Sequence, residues 1–326
     1  MHHSLHTPIC DLFGIEYPIM LAGMGGVCTA PLVAAISNAG GLGVIGAATM
    51  DAEEVRKQIR QTRELTDKPF AVDLLAPMPE RIRPQVQVLF EEDVKVFVAG
   101  LAVPAEFIDE MHAHGMKVIV MCGRVRHALK SQEAGADVVV AQGTEAGGHT
   151  GEIGTMALVP QVVDAVRIPV LAAGGLADGR GLVASLALGA QGAVYGTRFV
   201  ASNESQAAAG YRKAIVSAQD DSTTRTRSYT GKPARAIRNE RIEEWETRAD
   251  EIQPFPMQAG VSVQEGVMDY MGRGTRFDPN RTFLPAGQGS GLVHDVKPAA
   301  EIFADIVREA EAIIAQQFGA DGAGGR

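Results

Sequence analysis

The sequence predicts an α/β protein, a (β/α)8 TIM barrel with a smaller, mostly helical cap inserted after its eighth strand. Short runs rich in Val, Ile and Leu recur eight times between residues 18 and 196, with amphipathic segments between them. No long linker divides the series into two open sheets. Apolar runs without alternation belong to parallel strands buried on both faces, and eight of them at near-regular spacing close on themselves.

Taken in order, the strands are read at residues 18–22, 42–46, 70–75, 94–99, 117–121, 137–142, 169–173 and 192–196. Helices between them are read at 31–39, 52–65, 104–114, 124–134, 158–166 and 179–188, each with apolar positions at helical spacing. Gly40, Gly115, Gly135 and Gly189 stand near helix ends, where a left-handed residue closes the last turn. After Thr197 the pattern changes. Residues 203–285 are more charged, hold the sole tryptophan, Trp245, and read as a helical substrate cap. Residues 296–317 form an amphipathic helix expected to pack back on the barrel, which therefore comprises 1–202 and 286–318. The Gly-rich end, 319–326, reads as a frayed tail.

Composition narrows the function. No stretch approaches the roughly 20 apolar residues that span a bilayer, and the amino terminus lacks the basic-then-apolar pattern of a secretory signal. A cytoplasmic protein with no membrane partner is expected. The net charge of −9 and scattered basic residues argue against a nucleic-acid groove. One basic concentration, Arg225, Arg227, Lys232, Arg235, Arg238 and Arg241, precedes an acidic run from Glu243 onward. It reads as a solvated helical face, with a docking surface for a phosphorylated cosubstrate as the alternative. Cys10, Cys28 and Cys122 form no C-x-x-C pair, so reduced, buried thiols are expected rather than disulfides or a zinc site.

Gly41, Gly43 and Gly46 spell the dinucleotide fingerprint G-x-G-x-x-G in the wrong context, because a helix ends before them and they run through a strand. They read as packing glycines. No phosphate loop, H-E-x-x-H helix or nucleophile elbow is present.

Three strand ends carry chemistry. Strand seven ends in Ala172-Ala173-Gly174-Gly175 and strand eight in Tyr195-Gly196-Thr197-Arg198. In barrels the loops after these strands often bind phosphate through exposed amides; the bland alternative is a pair of tight turns at the rim. The loop after strand six, Gln142-Gly143-Thr144-Glu145-Ala146-Gly147-Gly148-His149-Thr150-Gly151, has too many glycines for a regular element and suits close approach to a flat cofactor ring. His149, at its tip, is the candidate proton-transfer residue, since an unperturbed imidazole titrates near neutrality; a bracing hydrogen bond is the alternative.

These segments resemble the nitronate monooxygenase family, formerly 2-nitropropane dioxygenases. The resemblance is carried by Pro18-Ile19-Met20, Gly23-Met24-Gly25-Gly26-Val27, residues 37–43, 142–149 and 172–175, Gly196-Thr197-Arg198-Phe199 and Ala286-Gly287-Gln288. The pattern is also similar to flavin-dependent bacterial enoyl-ACP reductases. The resemblance implies an FMN oxidoreductase without a Rossmann unit, acting on a small molecule and expected as a homodimer. Gly23 and Met24 would lie along the flavin, and Gln142 and Gly147 would contact its ring or ribityl chain. Gly174, Gly175, Gly196 and Thr197, with Tyr195 beside them, would bind the phosphate end, and His149 would be catalytic. Asp73 stands on the third strand where the family commonly has Asn; an anionic carboxylate there would disfavour reduced flavin unless protonated or paired. The implied reaction is oxidation of alkyl nitronates with oxygen. The alternative is NAD(P)H-dependent reduction of an enoyl thioester or quinone, with Arg235 and Arg238 on the carrier phosphate.

Overall fold

Strands and helices alternate along the chain as the apolar runs predict. A computed structural model describes residues 4–77, 79–272 and 277–318, so the expected tail at 319–326 lies outside the described residues. In chain order the strands are β1 (Ile19–Leu21), β2 (Gly43–Gly46), β3 (Phe70–Leu75), β4 (Val96–Gly100), β5 (Lys117–Cys122), β6 (Val138–Gln142), β7 (Gly148–His149), β8 (Val170–Ala173), β9 (Gly192–Tyr195), β10 (Thr223–Thr226) and β11 (Ala234–Ile237).

Eight of these form one parallel sheet in the order β1-β9-β8-β6-β5-β4-β3-β2. A parallel bridge between Met20 and Leu42 joins β1 to β2 and closes it into a barrel. Around it lie α1 (Pro8–Phe13), α2 (Ala30–Asn38), α3 (Ala52–Leu65), α4 (Pro79–Glu91), α5 (Ala105–Ala113), α6 (Val125–Glu133), α7 (Thr155–Ala165) and α8 (Gly179–Ala187). Asp51 caps α3 by accepting from Glu54 N at 2.9 Å, and Asp178 caps α8 by accepting from Arg180 N at 3.0 Å. Val, Ile and Leu from strands and helices fill one continuous core.

The fingerprint-like glycines serve packing. A side chain on Gly43 would strike Val33 O and Ser37 Oγ of α2, and one on Gly46 would strike the Met24 backbone. They let a helix and a loop lie directly on β2. Cys10, Cys28 and Cys122 are all free and buried.

The chain then runs through α9 (Thr197–Val200), α10 (Ala209–Val216), α11 (Glu240–Glu246) and α12 (Met257–Gln264) before α13 (Ala299–Phe318) returns to the barrel. Gly179 allows α13 to approach α8 closely, and its N–H donates to Glu309 Oε2 at 2.8 Å. Not all of 203–285 follows the helical expectation. β10 and β11 form an antiparallel ribbon, and β11 continues onto β7, the strand that carries His149.

The basic run is therefore not a solvated helical face. Arg225 and Arg235 lie on the ribbon, and Arg235 is only 8% exposed, its Nε donating to Thr144 O at 2.8 Å. Arg241, on α11, is wholly buried, donating to Glu265 Oε2 at 2.7 Å, Ser262 Oγ at 3.1 Å and Ser228 O at 3.2 Å, with its guanidinium over Tyr229. Among the described residues no helix is long and apolar enough to cross a membrane.

Candidate active site

Parallel strands bring all their carboxyl ends to one rim, where loops from distant parts of the chain meet. A cavity of about 350 Å³ opens there. Gly23, Met24, Asp73, Gln142, Gly147, His149, Gly174, Gly175, Gly196 and Thr197 all line it. Tyr195 does not. Alternate residues of a strand face opposite ways, and on β9 it is Val194 that faces the cavity. The Tyr195 ring is buried on the helix side, its hydroxyl donating to Asp178 O at 2.9 Å, so its side chain points away from the cavity. A second cleft, at Ser217, Arg238 and Asn280, holds none of the residues predicted to bind the cofactor or act in catalysis; it takes Arg238, the carrier contact of the alternative reading.

Two strand ends shape the floor. Gly174 and Gly175 follow β8 with φ of +108° and +75°, conformations that favour glycine. A Cβ on Gly174 would stand 2.8 Å from Thr155 Oγ1 and 3.1 Å from Gly143 O, so the backbone passes between two loops. Gly196 precedes the first turn of α9, and Thr197 Oγ1 accepts from Gly287 N at 2.9 Å, tying this end to the segment before α13.

The loop after β6 is braced from several sides. The Glu145 carboxylate accepts from Thr155 N and Thr155 Oγ1, each at 2.9 Å, and Glu145 O accepts from Gln288 N at 2.9 Å. Gly147 lies so close to Ala286 and Gly287 that a Cβ would come within 2.8 Å of their backbone. Gln142 Nε2 donates to His149 O at 3.2 Å. His149 is thus not a free loop tip but part of β7, in register with Ala234 of β11.

The imidazole Nε2 lies 3.0 Å from Thr230 Oγ1, and the ring meets Phe255 edge-on at 6.1 Å. Burial, and then the charge of Lys232, push its pKa down to about 4. An unperturbed imidazole titrates near neutrality; this one is held neutral there because the charged form is poorly solvated. Asp73, on β3, is 7% exposed, and its Oδ1 has no hydrogen-bond partner among the described residues. Burial raises this carboxyl well above the usual range.

Several lining residues escape the sequence motifs. Thr230, Tyr270, Phe283 and Pro285 come from beyond the eighth barrel strand, and the Tyr270 hydroxyl donates to Gly25 O at 2.8 Å. Leu101 has φ of +68°, and Ala102 N reaches back to Gly100 O at 2.9 Å, a γ-turn of the strained hand placed at the cavity wall. No sequence signal marks it.

The cavity suits a flat, largely apolar ring with an anionic tail. Its walls are glycine backbone, Met24, Leu75, Met121 and Leu176, with polar side chains such as Asp73, Gln142, His149 and Thr230 among them, and glycine backbone gathers at the ends of β8 and β9. Among the described residues no cluster of His, Cys, Asp and Glu could hold a metal ion.

A family model for nitronate monooxygenase matches residues 6–85 and 80–309 of the chain. A probable nitronate monooxygenase of Staphylococcus saprophyticus is 38% identical over 301 residues, which span 78% of this chain and 85% of that protein. The (3aS,4S,5R,7aS)-5-hydroxy-7a-methyl-1-oxo-octahydro-1H-indene-4-carboxyl-CoA dehydrogenase of Rhodococcus jostii is 41% identical over 239 residues, 73% of this chain and 67% of that protein. Among solved structures, FabK from Thermotoga maritima superposes with a TM-score of 0.88 at 38% identity, covering 97% of this chain and 99% of its own.

Proposed function

Since the chain belongs to the nitronate monooxygenase family of flavoprotein oxidoreductases, we propose that it binds FMN at the barrel rim and oxidises alkyl nitronates with molecular oxygen. One observation carries this reading: a single cavity gathers a glycine floor, the glycine ends of β8 and β9, and a neutral imidazole. Gly174, Gly175, Gly196 and Thr197 would hold the phosphate, with Gly23, Met24, Gln142 and Gly147 along the ring. FMN, when bound, supplies the electron acceptor.

His149 works on the substrate. With its pKa near 4 it is a weak base toward the C–H of a neutral nitroalkane, and so it suits a substrate that arrives already deprotonated. The neutral ring then donates an N–H to a nitronate oxygen and positions the anion. The charge of Lys232, felt at His149, adds attraction for that anion. Thr230 fixes the ring's orientation through Nε2.

A second reading is NAD(P)H-linked redox chemistry on a thioester. What favours it is the group of cations around His127, namely Arg124, Arg126, Lys130 and Lys232, the last of which also acts on His149. An anionic nucleotide or carrier tail would meet opposite charge there, and a relative is named as a carboxyl-CoA dehydrogenase. The test begins with the absorption spectrum of the purified protein, where absence of a flavin band removes both readings. Anaerobic bleaching by a nitronate alone selects the monooxygenase. Bleaching by NADH or NADPH with reoxidation by an enoyl thioester selects the second reading. Sedimentation of the same sample checks the homodimer that belongs to this proposal.

A further inference from the structure

Among the described residues Asp73 is the cavity's one carboxyl, and its surroundings there offer a charge nothing to pair with. β3 reads Phe-Ala-Val-Asp-Leu-Leu, and Asp73 lines the cavity between the apolar Val72 and Leu74, themselves fully buried. From the loop after β1, Gly23 packs against the carboxyl so closely that any side chain at 23 would occupy its place. From β4, Gly100 stands beside Oδ1, with a Cβ position 3.5 Å away. Among the described residues no hydrogen bond or ion pair to the Asp73 carboxyl occurs, although its backbone carbonyl accepts from Ala47 N at 3.0 Å. The titratable group that feels its charge is the Cys28 thiol, which burial first, and then Asp73, push up to about 12.

A carboxylate only 7% exposed and unpaired would lose its hydration with no return. The acid form avoids that cost and turns an acceptor-only group into a donor. Its O–H then needs an acceptor; Oδ1 has no hydrogen-bond partner among the described residues, and the residue lines the cavity, so the hydrogen is directed there.

We propose that Asp73 faces the cavity as a neutral carboxylic acid and donates its O–H to an acceptor atom of the ring bound there. The inference rests on the flavin reading above. It removes the objection that the sequence raises, because a neutral acid places no negative charge beside a reduced ring. It also gives Asp73 the hydrogen-bonding role that an amide would fill at this position, while leaving a proton that an amide does not carry.

Infrared difference spectra of the full-length protein at neutral pH, wild type minus Asp73→Asn, test the first half. A carbonyl band of a protonated carboxylic acid is expected, and its absence, with carboxylate bands in its place, would overturn the proposal. FMN titrations of the same proteins test the second half. Asp73→Asn retains a donor and should bind within about 3-fold of wild type, whereas Asp73→Leu should bind roughly 5- to 10-fold more weakly. Wild-type affinity in the Leu variant would overturn the donation. If wild-type protein takes up no FMN, the flavin reading fails and the donation with it, while the infrared band still reports the neutral acid, so the two failures separate.

Discussion

His149 Nε2 lies 3.0 Å from Thr230 Oγ1, a contact across 81 positions of sequence that holds the imidazole over the barrel rim. Replacing His149 with Ala should lower turnover by about 10²-fold with FMN still bound. Thr230→Val, which removes the hydroxyl that braces the imidazole and also bonds the Lys232 backbone, should cost roughly 3- to 10-fold through the lost contact to His149. Steady-state kinetics with a nitronate, alongside flavin content, check both; equal rates in wild type and His149→Ala would remove the role assigned to the ring.

The depressed His149 pKa makes stability depend on pH. The unfolded imidazole takes up a proton near pH 6.5, whereas the folded one resists it until about 4. Between those values the unfolded state binds more protons, so stability falls as pH drops through that window and levels off below it. His149→Gln should flatten this slope in urea melts taken across the window. Asp73 acts in the opposite sense. Its raised folded value gives a contribution fully present below about 3.8 and lost as pH rises through the folded value, so Asp73→Asn should gain on wild type as pH increases.

Gly174→Ala should lose at least about 10-fold in FMN affinity and on the order of 1–3 kcal/mol of stability, because φ of +108° and a contact 2.8 Å from Thr155 Oγ1 both resist a side chain. Gly115→Ala serves as the control. Its φ is +70° but the space around it is open, so it should cost about 1 kcal/mol and leave FMN binding unchanged. Thermal melts and fluorescence titrations of both variants check the contrast.

Arg238 and Arg241, on either side of Asn239-Glu240, should behave differently. Arg241→Met removes the partner of the half-exposed Glu265 and the donor to Ser262 Oγ, while Ser228 O keeps its bond from Gln258 Nε2, and should destabilise by about 1–3 kcal/mol. Arg238, at the edge of the second cleft, should tolerate Ala within about 0.5 kcal/mol. Chemical denaturation at one salt concentration measures the difference.

Much of the barrel is legible because its strands are buried on both faces and read as unbroken apolar runs; β3 at Phe70–Leu75 matches its sequence span end to end. Helix α4 is harder to see, since Pro84 interrupts its pattern. The ribbon is hidden for a different reason. Thr-Thr-Arg-Thr and Ala-Arg-Ala-Ile are short and charged, and their partners at Thr144 and His149 lie far along the chain. The glycine end of β8 is visible because φ of +108° and +75° at Gly174 and Gly175 favours glycine, whereas Gly196, at φ of −113°, is under no such demand. Tyr195 misleads because adjacency in sequence puts it next to Gly196, while the two-residue period of β9 turns it outward. The wall from Thr230 to Pro285 is illegible, since which of those side chains reaches the rim depends on packing rather than on any local pattern.

The pairing of β7 with β11 makes the imidazole a shared possession of the barrel and the segment that follows it. A chimera that exchanged residues 203–285 for a relative's would alter the substrate's surroundings and the histidine's seat in one stroke. Engineering a new specificity here therefore calls for re-matching two strands and a threonine, not merely reshaping a wall.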